Sequence, residues 1–273
     1  MSLTRLPRRA LGAALPMVLL PVALAAQSDD ARRWLDDCRE RRWDRDDREV
    51  HCELRETRLP VRGTLTIDAR ENGGIRVVGS DRSDVLVIAR VQATAEDRRD
   101  AEEMAKEIRV ATDGTIRADG PRYGRRSWWS VSYEVHVPRR SNLDLTARNG
   151  GIGITNVDGR ISMNTDNGGI SLTRVAGDVR GETTNGGVSV ELDGDRWSGS
   201  GLDVRTTNGG ITMRIPERYS AELETGTVNG SFNIDFPITL QGRLDRRIRT
   251  RLGDGGPMVR VRTTNGGVKL RRG

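Results

Sequence analysis

Residues 165–172 read Thr-Asp-Asn-Gly-Gly-Ile-Ser-Leu, and residues 183–190, eighteen positions on, read Thr-Thr-Asn-Gly-Gly-Val-Ser-Val. The same phrase returns along the chain. Asn-Gly-Gly occurs at Asn72, Asn149, Asn167, Asn185, Asn208 and Asn265, with the variant Asn229-Gly230-Ser231 before the last. From Asn149 the spacings are 18, 18, 23, 21 and 36, an 18-residue period with loop insertions and one skipped or degenerate turn.

Aligned on the asparagine, the third residue after it is apolar in every unit (Ile75, Ile152, Ile170, Val188, Ile211, Phe232, Val268), and so is the fifth (Val77, Ile154, Leu172, Val190, Met213, Ile234, Leu270). Small or polar residues lie between, which is the alternation of a strand with one buried face. Six residues before the asparagine stand Leu143, Ile161, Val179, Leu202, Leu223 and Val259, so a second strand precedes each turn. Two before it stands threonine in the last five units: Thr165, Thr183, Thr206, Thr227 and Thr263. Threonine suits a strand end, where its methyl packs inward and its hydroxyl can bond turn amides. Asn and Gly tolerate the positive φ of a tight reversal, and a following Gly lets backbone approach backbone.

Two architectures satisfy this pattern. In an antiparallel β-hairpin meander or sandwich, each Asn-Gly is a two-residue loop. In a two-sheet β-solenoid of about 18 residues per turn, Asn149, Asn167, Asn185, Asn208 and Asn265 are corners that stack on one another. Good turn residues suffice for hairpins, whereas a returning Thr, Asn and Gly indicates that equivalent positions touch. The all-β solenoid is the preferred reading.

Upstream the texture changes. Residues 95–110 carry Ala101, Met104 and Ile108 at helical spacing among charges, and Trp128 to Val137 reads as a strand with Trp129, Val131, Tyr133, Val135 and Val137 inward. An N-terminal cap with one short helix, residues 59–140, is expected to close the stack ahead of a repeat domain at 141–273. Before it, Asp29 to Arg42 reads as helix, and Val50, Cys52 and Leu54 alternate as a strand. Cys38 and Cys52 are the only cysteines, and in an oxidising compartment such a pair reads as a disulfide. One continuous helix would hold them ~21 Å apart at 1.5 Å per residue, so the charged segment 26–58 must bend between them.

The chain begins with Arg5, Arg8 and Arg9 and an apolar stretch ending in Ala23-Leu24-Ala25, which reads as a secretory signal peptide over residues 1–25. Pro16 and Pro21 interrupt the stretch, which is too short for a spanning helix. Removing three arginines from a net charge of +6 leaves about +3, and most of the arginine is interleaved with Asp and Glu as a mixed-sign surface. The exception runs from Arg243 to Arg272, where ten basic residues face Asp245 and Asp254. Arg246, Arg247, Arg249 and Arg251 are candidate contacts for an anionic surface, against the plainer reading that charge blunts an exposed sheet edge.

Catalytic patterns are missing from the sequence. His51 and His136 lie in separate strand patterns, no Cys-x-x-Cys or His pair has metal-ligand spacing, and there is no Gly-x-Ser-x-Gly or phosphate-loop motif. No carboxylate ladder supports calcium. The acids Glu182, Glu191, Asp193 and Glu224, which could serve glycan cleavage on a β-helix, do not recur in register. No metal or cofactor is expected, and nucleic acid is a poor partner for an exported chain.

With its signal peptide, helix-bearing cap, strand Trp129–Val137 followed by Pro138-Arg139-Arg140, and serial Thr-x-Asn-Gly-Gly-[Ile/Val] units, residues 60–273 resemble the bacterial DUF4097 adhesin family. The resemblance implies an exported, periplasmic or cell-surface β-solenoid-like protein without established catalysis. Such a protein would be an adhesin-like scaffold or binding module for an anionic envelope polymer, a lipid surface or another envelope protein. Some relatives sit in envelope-stress systems, so a stress sensor is the alternative, ahead of a glycan-active enzyme.

Overall fold

A computed structural model describes residues 29–40, 48–122, 124, 126–235 and 246–273. The expected signal peptide, together with Arg41, Arg42, Arg243 and Asp245, lies outside the described residues. Each repeat contributes one strand before its corner and one after it, and these two strands lie in different ten-stranded sheets. Asp158–Thr165, for example, enters the pre-corner sheet, the chain turns at Asn167-Gly168-Gly169, and Ile170–Thr173 enters the post-corner sheet. Equivalent strands of successive units pair in parallel, Ile161 opposite Val179 and Ile170 opposite Val188. That arrangement is the solenoid and excludes the hairpin, in which the two strands flanking each corner would pair antiparallel with each other.

Alternation then decides what is buried. The third and fifth residues after each corner point between the sheets and are buried from Ile75 to Leu270, except Phe232 and Ile234 at the end of the stack, which are partly covered. Leu143, Ile161, Val179, Leu202, Leu223 and Val259 meet them from the opposite sheet. The core is therefore one long apolar slab, one rung thick for each unit.

The corners stack through their side chains and their backbone. Asn167 Nδ2 donates to Asn149 Oδ1 at 2.9 Å, Asn185 to Asn167 at 2.8 Å, Asn208 to Asn185 at 2.9 Å, Asn265 to Asn208 at 2.7 Å and Asn229 to Asn265 at 2.8 Å. The buried threonines act differently from expectation. Their hydroxyls donate to glycine carbonyls of the neighbouring corner and not to amides: Thr183 to Gly168 O at 2.7 Å, Thr206 to Gly186 O at 2.7 Å, Thr263 to Gly209 O at 2.8 Å. The corner amides are already engaged by the next rung, as Gly186 N is by Asn208 O at 3.0 Å, so the free group is the carbonyl.

Positive φ is also not what the corner asparagines supply. Among the described residues, the non-glycine positions with positive φ are Arg70, Asn156 and Arg174, the last two at the reverse corner, where Arg174 Nε donates to Asn156 Oδ1 at 2.7 Å. The first corner glycine is required by proximity instead. A Cβ on Gly168 would lie 2.2 Å from Gly150 O, one on Gly186 2.1 Å from Gly168 O, and one on Gly209 2.0 Å from Gly186 O.

The rungs do not stack in chain order. The pre-corner sheet runs Gly201–Asn208, then Met258–Asn265, then Ala221–Asn229, and the post-corner sheet repeats the inversion with Ile211–Ile215, Val268–Arg272 and Phe232–Ile234. The unit at the variant corner Asn229 is a complete rung displaced outward by the later one, and the 36 residues between Asn229 and Asn265, expected to hold a skipped or degenerate turn, include instead the antiparallel strand Arg247–Leu252. Arg247–Leu252 then folds back antiparallel on Ala221–Gly226 and ends that sheet.

At the other end, Asp84–Ala95 lies antiparallel between Glu49–Pro60 and Trp128–Pro138, forming the cap. The cap helix is Arg98–Glu107, shorter than the 95–110 expected. Asp97 caps it by accepting from Asp100 N at 2.9 Å, Arg55 Nη2 donates to Ala105 O at 2.7 Å near its C-terminus, and Val110 is drawn into a strand opposite Ala118. A second helix, Asp29–Glu40, doubles back on the outward face of the post-corner sheet, seating Ala31 with Leu54, Leu86 and Ile88. Cys38 and Cys52 are bonded with Cα atoms 6.4 Å apart, so the segment bends as the spacing required.

Two measurements follow from these contacts. Gly186→Val is expected to cost about 3 kcal/mol or more, because the clash is with backbone, and an unchanged urea midpoint would overturn the corner assignment. Cys52→Ser should lower stability by about 3 kcal/mol in the same assay, with the repeat's circular dichroism retained.

Candidate functional site

With inward positions committed to the core, only outward side chains, loops and the ends remain for a partner. On the pre-corner sheet the outward residues fall into rows that cross the strands. One row runs Asn164, Glu182, Arg205, Arg262, Gly226 and Arg247, and the next runs Ser162, Arg180, Asp203, Arg260, Glu224 and Arg249. Neighbouring strands stand ~4.8 Å apart, so charges in a row meet across rungs.

Most of them pair. Arg260 donates to Asp203 at 3.2 Å and to Glu224 at 3.1 Å, and these bonds hold its proton more firmly than usual. Arg205 meets Glu182 at 2.6 Å with the same consequence, Arg262 reaches Asp203 at 3.4 Å, and Arg251 meets Glu222 at 3.1 Å. Arg247 and Arg249 have no ion-pair partner among the described residues. Both are exposed, as are Arg246 and Arg251. Arg247, Arg249 and Arg251 alternate along the edge strand and share its outward side, while Ile248 and Thr250 turn inward.

The basic run of the sequence is therefore divided. Arg260 and Arg262 lie inside the pre-corner sheet among carboxylates, Lys269 and Arg271 face outward from the other sheet, and Arg272 pairs with Glu217 at 3.0 Å. What sequence order missed is the contribution of earlier rungs. Arg205, Arg262, Glu182 and Gly226 all stand three places before a corner asparagine, so reading that column of the repeat would have brought them together. Around them lies an open groove of about 630 Å³ that also takes in Thr207, Val228, Arg246, Arg247 and Thr264.

The acids considered for glycan cleavage do not converge. Glu182 and Glu224 share the sheet but stand three strands apart, roughly 14 Å, and each is held by an arginine. Glu191 faces outward from the other sheet, and Asp193 is exposed beyond it. His51 and His136 occupy different strands. Among the described residues, no three His, Cys, Asp or Glu side chains gather to hold a metal.

A separate charged cluster fastens the first helix. Glu134, 3% exposed, is bound by Arg90 and by His136 Nε2 at 2.9 Å. Asp30 of the helix accepts from Arg90 at 2.9 Å and from Arg76 at 2.7 Å, and Trp34 lies 5.8 Å from the Arg90 guanidinium. This cluster ties the helix to the outward face of the post-corner sheet.

Stacked parallel rungs, a capped end and outward rows of charge define a two-sheet β-solenoid scaffold. Residues 134–271 match the Toastrack DUF4097 family, and the chain belongs to it. No curated protein matches the chain. Among solved structures it is similar to a putative cell adhesion protein from Clostridium sporogenes, with 10% identity, coverage of 82% of this chain and 100% of that one, and a TM-score of 0.44. It is also similar to a putative adhesin from Bacteroides fragilis, with 13% identity, coverage of 81% and 97%, and a TM-score of 0.31. A putative lipid binding protein from Parabacteroides distasonis follows with 10% identity, coverage of 80% and 96%, and a TM-score of 0.28.

Replacing Glu134 with Gln removes the buried one of the two carboxylates on Arg90 and leaves Asp30 of the helix to balance its charge alone. Stability should fall by about 2 kcal/mol, and amide exchange over residues 29–40 should quicken. Unaltered exchange there would remove the fastening role.

Proposed function

We propose that the protein is an exported, non-enzymatic binding scaffold of the cell envelope, which presents a rigid β surface to anionic envelope material. Residues 1–25 would direct export, 26–58 form the disulfide-pinned segment, 59–140 the cap and 141–273 the stacked repeat. The observation that carries the reading is the edge strand: Arg247, Arg249 and Arg251 project from one side, and the first two lack a carboxylate partner among the described residues. Guanidinium groups that are exposed and not neutralised by a neighbouring carboxylate are available to an external anion. A disulfide between Cys38 and Cys52 supports an oxidising location. The outward carboxylates Glu182 and Glu224 support a non-catalytic surface, since each neutralises an arginine of the next rung.

Changing Arg246, Arg247, Arg249 and Arg251 together to Ser should weaken binding to lipopolysaccharide or to vesicles containing anionic lipid by about 1 kcal/mol for each arginine. The wild-type interaction should also fade as salt rises. Binding that is unchanged in the quadruple variant would sink the assignment of this edge.

A further inference from the structure

The groove above the corner end of the pre-corner sheet has two unlike walls. Arg205 and Arg262, on adjacent strands, stand on one side. Gly226 follows them with no side chain, and Arg247 closes the row one strand beyond. At ~4.8 Å per strand the Arg262-to-Arg247 step is roughly 10 Å, so positive charge is spaced along a line parallel to the stacking axis. Thr207 and Thr264 form the other wall with Val228, which is 48% exposed, the larger of the two exposed large hydrophobics among the described residues. Arg262 Nε is buried without a hydrogen-bond partner among the described residues.

We propose that this groove binds one chain of an acidic polysaccharide laid along the stacking axis, with Arg205, Arg262 and Arg247 meeting its anionic groups and Thr207 and Thr264 its hydroxyls. The assignment rests on the anionic-envelope reading above and narrows it to one ligand class. A linear polymer laid along this row meets Arg205, Arg262 and Arg247 in succession, whereas a flat lipid surface meets Arg247, Arg249 and Arg251 together along the edge strand. Alternating hydroxyls and C–H faces of a sugar chain suit a wall made of threonine hydroxyls and valine methyls, whereas lipid headgroups offer no such repeat. Glu182 sits at the end of the arginine row and occupies Arg205 at 2.6 Å, so it competes with any incoming anion.

The test uses the full chain with polygalacturonate, dextran sulfate, neutral dextran and phosphatidylglycerol vesicles, comparing wild type, Glu182→Gln, the pair Arg247→Ser with Arg262→Ser, and the pair Arg249→Ser with Arg251→Ser. Wild type should bind the two acidic polymers and not neutral dextran. Glu182→Gln should tighten that binding about fivefold, a gain that damaged folding would not produce. The Arg247 and Arg262 pair should lose about thirtyfold, while the Arg249 and Arg251 pair keeps most of its affinity for the polysaccharides. If both pairs lose equally and Glu182→Gln changes nothing, the edge binds anions and the groove assignment is overturned. Preference for the vesicles over both polymers also overturns it. If no anionic probe binds wild type, the broader reading fails together with it.

Discussion

Close contact between successive corners is the constraint on which the rest of the structure depends. Gly168 lies against the Gly150 carbonyl, and Gly186 against the Gly168 carbonyl, at distances that leave no room for a side chain. Once the corners touch, the rung spacing is that of hydrogen-bonded strands, and the asparagines above and below come within reach of one another. Each interior carboxamide then donates to one neighbour and accepts from the other, which satisfies polar groups that a stacked turn would otherwise leave unpaired. The threonine hydroxyl completes the corner by taking up a carbonyl facing the interior. Little is left to choose: side-chain parity is fixed from the corner outward in both directions.

That dependence explains how much could be read in advance. Burial of Ile170 and Leu172, or of Val188 and Val190, follows from their distance to an asparagine, and so does the outward position of Ser171 and Ser189. The disulfide between Cys38 and Cys52 was legible as the only cysteine pair of a chain read as exported, and helix geometry added that the segment between them must bend. Rung order was not. Asn229 and Asn265 head units with the same threonine and the same parity, and their corners differ only in Ser231 against Gly267, so either could seat beside Asn208. Pairing with both neighbours favours the unit at Asn265 for the interior, since Phe232 and Ile234 form a short strand suited to an end. The acceptor of the threonine hydroxyl was equally hidden, because it depends on which corner groups the next rung has already used. The cap helix ended early for a local reason: beyond Ile108 the chain finds a strand partner at Ala118.

The surface was the least legible part. A run of arginines in sequence became three separate environments, because alternate residues of a strand face opposite ways and consecutive strands of a coil lie in different sheets. Conversely, Arg205, Arg262 and Gly226, far apart in the chain, form one row. Cross-strand ion pairs such as Arg260 with Asp203 and Glu224 use charge to match rung to rung, while Arg247 and Arg249 on the edge strand have no such match among the described residues. Outward positions are also those that the corner constraint does not touch. Variation there changes what the scaffold meets without disturbing how it stacks.

The inverted order of the last rungs carries a consequence in time. Residues 221–229 emerge during synthesis before residues 258–265, yet they join the stack only through them. Until the later segment arrives, the Asn208 rung and the Asn229 rung present facing edges with nothing between. The late segment therefore acts as a keystone, and it spans 57 residues back to Asn208 to do so. The last rung made is thus not the last rung of the stack, and shortening the chain after Leu252 would take out an inner rung and not an outer one.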